Sequence, residues 1–587
     1  MKECREFFAF AEENLVKNIT GNFLKFGDQL YRMPEGMPSI RNLKVLRPGL
    51  HLGTLKKNRF EPSHALALAL RPDQVKHVCN LESDCPQIKA YLNGQTLNMD
   101  GEKGWYLVTV DGYSIGWGKL AGGILKKSLP EGTSKKMADG KTGKTLNLTE
   151  GNPLKLILLF AIPVFLGRLF QMMYSLIDTK IVGSILGEEA LAAVGSVSIL
   201  YNLLTGIFSG FTLGFSIVTA QNYGSGNEKL LKKNVASSII LGMMTAVVII
   251  FAVLLFLNPI LHAMNVPEEQ FCMAHDYIRI LVWGMFVTLA YNLCADMLRA
   301  IGDSVTPLIF LVIAAVTNIV LDYLFIGGFS MGVSGAACAT VLSQLVSAVL
   351  CFLRIKSGFP ILHISKNDLE WDRERMRLLY QNGLAMALMS SLVNCGTLIL
   401  QTGINKLGTN IIVAHTAARK VFEIFSLPVS VFGASMATYC GQNYGAGKYD
   451  RIRQGLKAVL GIGCVFSVII FILSHTISPY LISFIASSKN KEVIYWGTQY
   501  LVYDMSFQVV CVFIVILRNS LQGIGDQRTP VFSSFIELAG KVVFTLVFVR
   551  RFGYWAVIWT ESVIWICMVI PLIVTAAGNP VLFGKQK

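Results

Sequence analysis

The stretch LKLILLFAIPVFLGRLFQMMYSLIDTKIVG, residues 154–183, is long and apolar enough to cross a lipid bilayer as one helix. Such a helix needs about 20 apolar residues in a row. Close to its end stands Asp178, and a carboxylate at the centre of a bilayer costs about 2.5–3.5 kcal/mol on insertion scales. Asp178 is therefore either the polar end of a span or part of a pathway for ions, and this one helix favours neither.

The apolar composition extends this membrane character to most of the chain. Of its 587 residues, 53% are hydrophobic and only 15% are charged, and the mean hydropathy is +0.52. Soluble domains carry about 25% charged residues, so the sequence predicts a membrane protein. The 12 cysteines are scattered without a CxxC pair, which predicts neither a disulfide framework nor a zinc site.

Apolar runs recur at near-regular spacing, and loops with Gly, Pro, Asn or charged residues separate them. They predict an all-α polytopic membrane protein with twelve transmembrane helices. The spans begin near residues 154, 191, 233, 276, 306, 335, 378, 410, 455, 496, 530 and 554. Lys and Arg concentrate in the loops after even-numbered spans, which the positive-inside rule places in the cytoplasm. Both termini are therefore expected in the cytoplasm, and the opening MKECREFFAF shows no signal peptide.

Two loop motifs occur twice and divide the spans into halves. Residues 221–226, QNYGSG, return as QNYGAG at 442–447, a shift of 221 residues. Residues 298–307, LRAIGDSVTP, return as LQGIGDQRTP at 521–530, a shift of 223 residues. Turn and capping chemistry explains each loop singly, but it does not explain the return at nearly the same shift. We therefore expect two six-helix lobes in parallel orientation with a cavity between them.

The repeat also sets the expected domain boundaries. The N-lobe, helices 1–6, is expected at residues 154–365, and the C-lobe, helices 7–12, at 366–587. Residues 136–153 are polar and rich in Gly, Lys and Thr, which predicts a flexible basic linker. Residues 1–135 contain no membrane-length apolar run and predict a small soluble α+β domain in the cytoplasm.

With these motifs and LIDTKIVG at the end of the first span, the sequence resembles the multidrug and toxic-compound extrusion (MATE) family. The resemblance covers residues 150–578. It implies a secondary active antiporter that exports amphipathic or cationic organic compounds in exchange for inward H⁺ or Na⁺. In that family the coupling cation binds in the N-lobe, to an Asp on the first helix, an Asn and an Asp on the fifth and a Thr on the sixth.

This chain carries those residue types at the matching positions: Asp178, Asn318, Asp322 and Thr340. Asn318 and Asp322 are four residues apart, so they share one face of their helix. Two carboxylates, an amide oxygen and a hydroxyl form an all-oxygen cage that suits a hard cation such as Na⁺. Two neighbouring carboxylates can equally hold a proton, so H⁺ and Na⁺ both stay open.

The C-lobe lacks a carboxylate where the N-lobe has Asp178. The 221-residue shift takes Asp178 to Ile399. Glu537 and Lys541 are four residues apart with opposite charge, and we interpret them as a structural pair rather than an ion site. Most Met and aromatic residues of the spans are interpreted as packing or lipid-facing. The candidates for the substrate cavity are Gln171, Tyr174, Asn394, Gln401 and Glu423.

Residues 1–135 hold two stretches rich in basic and aromatic residues, LKVLRPGLHLGTLKKNRF at 43–60 and GWGKLAGGILKK at 116–127. Basic groups neutralise phosphates and aromatic rings stack on unpaired bases, although composition alone favours a solvated basic face. Over residues 7–132 the sequence resembles the C-terminal PUA-like RNA-binding region of bacterial ribosomal-RNA cytosine-C5 methyltransferases. That resemblance implies a small β-barrel with helices. The candidate RNA-binding residues are Lys44, Arg47, Lys56, Lys57, Arg59, Trp117 and Lys119.

Taken together, the sequence predicts a transporter and not an enzyme, because the catalytic domain of those methyltransferases has no counterpart in it. No cofactor is expected beyond the coupling ion, H⁺ or Na⁺. The expected partners are small organic cationic or amphipathic substrates, membrane lipid and, through residues 1–135, RNA. The transporter is expected to be a monomer in the bacterial cell membrane.

Two alternatives stay open. One is a flippase of the same superfamily for lipid-linked or polyisoprenoid substrates, which would need a strongly basic central cavity. The other is a membrane-tethered RNA-binding protein of ribosome biogenesis.

Overall fold

The computed structural model describes residues 4–36, 48–56, 59–83, 85, 87–88, 91, 96–127, 145–365 and 368–583. It separates into two compact units, Met1–Gly140 and Lys141–Lys587. The first unit is a small α+β structure, and the second is helical wherever it has regular structure in the described residues. The predicted fold class is confirmed.

The first unit opens with a helix, α1 (Arg5–Asn14), and an antiparallel sheet of order β1-β2-β3-β4. The strands are β1 Asn22–Phe26, β2 Gln29–Met33, β3 Leu50–Lys56 and β4 Arg59–Pro62. One face of α1 carries Phe7 and Phe10, whose rings lie 5.1 and 5.2 Å from the ring of Phe60 on β4. This aromatic packing holds the helix on the sheet. A short helix, α2 (His64–Ala69), follows β4.

A second, five-stranded sheet of order β5-β7-β8-β9-β6 completes the unit. Its strands are β5 Val78–Leu81, β6 Leu97–Asn98, β7 Gly104–Val110, β8 Tyr113–Ala121 and β9 Ile124–Lys127. The turn between β7 and β8 consists of Asp111 and Gly112, which have φ angles of 48° and 82°. Two positive φ angles suit the right-handed twist of a tight hairpin, and the Asp-Gly pair in the sequence predicts this turn.

The N-lobe of the second unit contains seven helices among the described residues. They are α3 Pro153–Leu186, α4 Glu188–Gly224, α5 Glu228–Leu255, α6 Leu257–Ala263, α7 Glu268–Ala300, α8 Val305–Asp322 and α9 Gly332–Gly358. The side chain of Asn152 accepts a hydrogen bond from the Lys155 amide at the start of α3, which satisfies an otherwise unpaired donor. A π-helix, Tyr323–Gly328, continues α8.

The C-lobe repeats this order. Its helices are α10 Arg373–Ile404, α11 Thr409–Gly445, α12 Tyr449–Ala486, α13 Lys491–Ser506, α14 Gln508–Gly523, α15 Arg528–Val543, α16 Val549–Phe552 and α17 Tyr554–Gly578. A π-helix, Phe544–Phe548, continues α15, as one continues α8 in the N-lobe. The repeat seen in the loops therefore extends to these two π-helices.

Among the described residues, 11 helices are long and apolar enough to cross a membrane singly. Together α13 and α14 form a twelfth span, bent by 53° at Phe507. The twelve predicted spans are thus present, and this bent span differs between the lobes. Helix α7, which corresponds to this pair in the N-lobe, is continuous.

The connection between the lobes lies against the N-lobe. Its short turn Pro360–Leu362 packs against α5, and Lys233 of α5 pairs with Glu370. The hydrogen bond from the Lys233 ammonium lowers the pKa of the exposed Glu370 carboxyl. The connection is therefore anchored shortly before α10 begins.

Small residues let the two lobes approach closely where α4 crosses α10. A β-carbon on Gly210 would lie 2.6 Å from the α-carbon of Ala387, and one on Gly214 would lie 2.5 Å from the Asn382 carbonyl oxygen. Larger side chains at these positions would separate the helices. Glycine at helix crossings has the same role in many membrane proteins.

The repeated loops meet at one end of the second unit, which we call the closed end. The side-chain amide of Gln221, in the N-lobe, donates to the Gly523 carbonyl of the C-lobe at 2.8 Å. In return, the amide of Gln442 in the C-lobe donates to the Ala300 carbonyl of the N-lobe at 2.7 Å. The 221- and 223-residue shifts relate these two bonds, so the lobes exchange equivalent contacts.

The segment 145–152, just before α3, crosses the closed end and contacts both lobes. The Leu146 amide donates to the Gly302 carbonyl of the N-lobe at 3.1 Å. The Leu148 amide donates to the side-chain oxygen of Gln442 in the C-lobe at 3.3 Å. Both bonds use backbone groups of the segment, so its sequence can vary without losing them.

This arrangement changes the prediction that residues 136–153 are one flexible linker. Arg451 of α12 donates to the Gly151 carbonyl at 2.8 Å, and further bonds fix the rest of segment 145–152. Polar composition alone does not reveal backbone contacts of this kind. Residues 136–144 lie outside the described residues.

Gly224→Ala should open the closed end, because a β-carbon on Gly224 would lie 1.9 Å from the Gln442 carbonyl oxygen. Cys440 is 0% exposed and lies against Gly523 at this end, so its thiol reports closure. We expect maleimide to label Cys440 faster in the purified variant than in the wild type, as measured by mass spectrometry.

Gly195→Ala is the matched control, because it lies on the same helix and its β-carbon would meet nothing within 4 Å. This control should label like the wild type. Unchanged labelling in Gly224→Ala would contradict the tight contact between the loops.

Candidate functional site

Asp178 of α3 and Asp322 at the end of α8 meet inside the N-lobe. Asp322 is 0% exposed and Asp178 is half-buried. Their carboxyl groups approach closely enough to share a hydrogen bond when one of them is protonated. Apart from that contact, neither Asp322 oxygen has a hydrogen-bond partner in the described part of the chain. A buried carboxylate without a partner costs several kcal/mol, so this pair favours a bound proton or cation.

Asn318 lies one turn before Asp322 and is 1% exposed. Within the described residues its side-chain oxygen and nitrogen have no hydrogen-bond partner, so the oxygen is available to a cation. Thr340 lies on α9, which packs along α8. Its hydroxyl donates to the Ala336 carbonyl at 3.1 Å and keeps its lone pairs. The structure thus joins Asp178 and Asp322 and holds Asn318 beside them, with Thr340 on the adjoining helix.

The N-lobe also holds a hydrogen-bonded chain that the sequence does not indicate. Gln344 of α9 donates to the Tyr201 hydroxyl at 3.3 Å and accepts from the Thr288 hydroxyl. Tyr201 lies in the electrostatic field of Asp178. These three residues come from α9, α4 and α7, and the sequence gives no sign that these helices adjoin. Tyr201 is therefore an exception to the expectation that most aromatic residues of the spans pack or face lipid.

The corresponding place in the C-lobe holds a network of buried charges. The 223-residue shift takes Asn318 to Lys541. The Lys541 ammonium lies 2.9 Å from a Glu537 oxygen and 3.3 Å from a Glu561 oxygen. All three of these charged residues are nearly fully buried. The expected pair is therefore present, and Glu561 is an additional partner that the sequence did not indicate.

A polar cavity of about 160 Å³ lies between α3, α4, α7, α8 and α11, and Gln171 lines it. The other four substrate candidates are outside its lining. Tyr174 is one turn before Asp178 and lies in its electrostatic field. Asn394 is exposed and faces Gly206 of α4 across the contact between the lobes.

The last two candidates lie on the C-lobe helices. Gln401 donates to the side-chain oxygen of Asn405, just after the end of α10, at 2.8 Å. Glu423 is exposed and lies one turn after Arg419 on α11. The five candidates therefore do not form one pocket among the described residues.

One candidate RNA-binding residue of the first unit needs correction. Trp117 is 1% exposed, and its indole N–H donates to the Ser63 carbonyl at 3.1 Å. Its ring packs on Phe10 with the centroids 5.8 Å apart. A base cannot stack on a ring inside the core, so Trp117 stabilises the fold instead. An aromatic residue beside a lysine does not reveal which face of a strand is buried.

The other described RNA candidates lie at the surface. Lys56 and Arg59 both pair with Glu61 at 3.0 Å, which neutralises part of their charge. The Lys119 ammonium lies 5.5 Å from the ring centroid of Trp105. Lys44, Arg47 and Lys57 lie outside the described residues.

A helical membrane fold built from two repeated lobes is a transporter architecture. The family model MatE matches the chain twice, at residues 163–324 and 385–547, once in each lobe. The chain belongs to the MatE family. In the first unit, the model of the first C-terminal domain of the rRNA methyltransferase RsmF matches residues 9–70, and that of the RsmF PUA domain matches 79–133.

Known proteins agree with this assignment. The chain is 26% identical over 392 residues to "Probable multidrug resistance protein YoeA" of Bacillus subtilis, covering 66% of this chain and 84% of that protein. It is 30% identical over 361 residues to "Probable multidrug resistance protein YpnP" of the same organism, covering 61% and 80%. A crystal structure of a MATE protein in the bent conformation superposes with a TM-score of 0.68 at 23% identity, covering 74% of this chain and 98% of the other.

Lys541→Met should destabilise the protein, because it leaves Glu537 and Glu561 buried without their shared cation. Breaking a buried ion pair on one side costs about 3–5 kcal/mol. We expect a lower unfolding temperature for the detergent-solubilised variant, measured by tryptophan fluorescence.

Glu537→Gln serves as the comparison, because Lys541 keeps Glu561 as its partner. It should unfold nearer the wild-type temperature. A Lys541→Met protein as stable as the wild type would rule out a structural role for this network.

Proposed function

We propose that the chain is a cation-coupled antiporter that exports amphipathic or cationic organic compounds. Asp178, Asn318, Asp322 and Thr340 bind the coupling cation, which is H⁺ or Na⁺. The observation that carries this proposal is the buried carboxyl pair, which has no basic partner among the described residues. The relatives named as multidrug resistance proteins support the substrate class.

The two carboxyls give the cation a means to act on conformation. Asp178 lies on α3 and Asp322 on α8, so a movement between these helices changes the distance between the carboxyls. Binding a cation between them removes their repulsion and therefore stabilises the arrangement in which they meet. A ligand shifts a conformational equilibrium only by its difference in affinity for the two states, and this difference would be large for paired carboxyls.

The distribution of basic loops supports a cytoplasmic position for the closed end. The arrangement described above then corresponds to an outward-facing state, in which the loops 221–226 and 442–447 seal the inner end. Cations enter the N-lobe from outside, and the exchange step requires the hydrogen bonds at the closed end to break. No cofactor takes part in this cycle.

The first unit has a separate proposed role. Its relation to the RsmF domains supports weak binding of structured RNA, through the exposed groups of Lys56, Arg59 and Lys119. The matched models are C-terminal and PUA domains and not a catalytic domain, so we propose that the unit does not methylate RNA.

Asp178→Asn and Asp322→Asn should each abolish coupled efflux, because each removes one ionisable group and keeps its size. The measurement is efflux of a fluorescent cation from inverted vesicles under a pH gradient or a Na⁺ gradient, at equal expression.

Glu537→Gln is the control for these variants, because it changes a buried carboxylate of the C-lobe that Lys541 neutralises. It should keep most of the activity. Loss of transport in Glu537→Gln, with the protein still folded, would show that the coupling site lies in the C-lobe.

Removing residues 1–143, so that the chain starts at Lys144, should leave efflux unchanged because segment 145–152 stays in place.

Residues 1–135 alone should bind structured RNA, with log K falling by about 0.7–0.9 per neutralised phosphate for each tenfold rise in salt. Efflux is measured in inverted vesicles, and RNA binding is measured on the purified protein. A truncated protein that inserts normally and no longer transports would make the first unit a working part of the transporter.

A further inference from the structure

The polar cavity lined by Gln171 has more positive than negative groups in its described lining. Its described lining contains two guanidinium groups, Arg168 and Arg299, and one carboxylate, Asp296. Arg299 donates to one Asp296 oxygen at 2.7 Å, and the Thr212 hydroxyl donates to the other at 2.7 Å. Asp296 is thus fully engaged by its neighbours and does not pair with Arg168.

Among the described donors that face the cavity, Arg168 and Tyr291 are without a partner. Arg168 is exposed and makes no hydrogen bond or ion pair within the described residues. The Tyr291 hydroxyl is buried there without a hydrogen bond. A guanidinium offers several N–H donors in one plane, which match the oxygens of a carboxylate or phosphate. The neighbouring positive charge of Arg299 adds to the attraction for an anion.

The internal repeat shows that these charges are a property of the N-lobe alone. The shifts of 221 and 223 residues take Arg168 to Met389 and Arg299 to Gln522. They take the other two polar positions, Tyr291 and Asp296, to Ile514 and Asn519. In the C-lobe, Gln522 donates to the Met389 sulfur at 3.3 Å, so that place is filled by neutral side chains. Both lobes share the same helix packing, but only the N-lobe has an arginine at this position. Helix packing alone therefore does not explain Arg168.

We propose that this cavity binds an anionic oxygen group, a carboxylate or a phosphate, carried by an amphiphilic substrate, with Arg168 as its partner. The inference rests on the proposed function in taking the cavity as part of the export route. Arg168 lies ten residues before Asp178, about 15 Å along the helix, so the anion site is separate from the cation site. Substrates that carry both charges, rather than simple cations, then fit the transporter best.

A pair of fluorescent dyes tests this directly. Rhodamine 110 carries a free carboxylate, and rhodamine 123 is its cationic methyl ester, so the two differ at one group. Binding of each dye to the full-length protein in phosphatidylcholine nanodiscs is measured by fluorescence anisotropy. The wild type should bind the carboxylate dye about tenfold more tightly, the size expected of one hydrogen-bonded charge pair.

Variants identify the residue responsible. Arg168→Met installs the side chain that the C-lobe has at the matching position, and it should remove the preference. Arg168→Lys should keep most of it. Arg551→Met, which removes an exposed arginine outside the cavity, should bind both dyes like the wild type. Equal affinity of the wild type for the two dyes, or an unchanged preference in Arg168→Met, would overturn the proposal.

Two further measurements distinguish this inference from a lipid-binding site and from the proposed antiport. Adding phosphatidylglycerol to the nanodiscs should not displace the carboxylate dye, and displacement would identify a lipid headgroup as the occupant and overturn the assignment to a substrate. Asp178→Asn is measured for transport only, in inverted vesicles. If Asp178→Asn abolishes transport while the wild type shows no dye preference, this inference fails and the proposed antiport stands.

Discussion

The meeting of two carboxyl groups inside the N-lobe, without a basic partner in the described residues, is the constraint on which the account depends. Asp178 and Asp322 cannot both stay charged in that place at low cost. At the C-lobe position that corresponds to Asn318, Lys541 supplies a positive charge from the chain itself. One lobe therefore carries a fixed positive charge, and we propose that the other takes a cation from solution.

Apart from this difference in charge, the two lobes of the second unit are closely similar. The lobes share their helix order and the π-helices after α8 and α15. They also exchange equivalent hydrogen bonds at the closed end through Gln221 and Gln442. Such paired contacts can break and form together, which suits a structure with two discrete arrangements. The segment 145–152 adds backbone bonds to both lobes at that same end.

The sequence predicted the spans, the two lobes and the carboxyl residues, because bilayer length, repeated motifs and intramembrane charge are local signals. It did not predict contacts between distant helices, such as Tyr201 with Gln344 or Lys541 with Glu561. The bend at Phe507 has no nearby Pro or Gly to indicate it, although such residues cause most sharp kinks. The burial of Trp117 likewise depends on which elements cover its strand.

Direct binding of the coupling cation to the purified protein is the most decisive measurement. Uptake of radioactive Na⁺ and proton exchange with a weakly buffered dye solution can be followed on the same sample. The account predicts that one of these signals is stoichiometric in the wild type and in Glu537→Gln, and is lost in Asp322→Asn. Stoichiometric cation binding that persists in Asp322→Asn would contradict it.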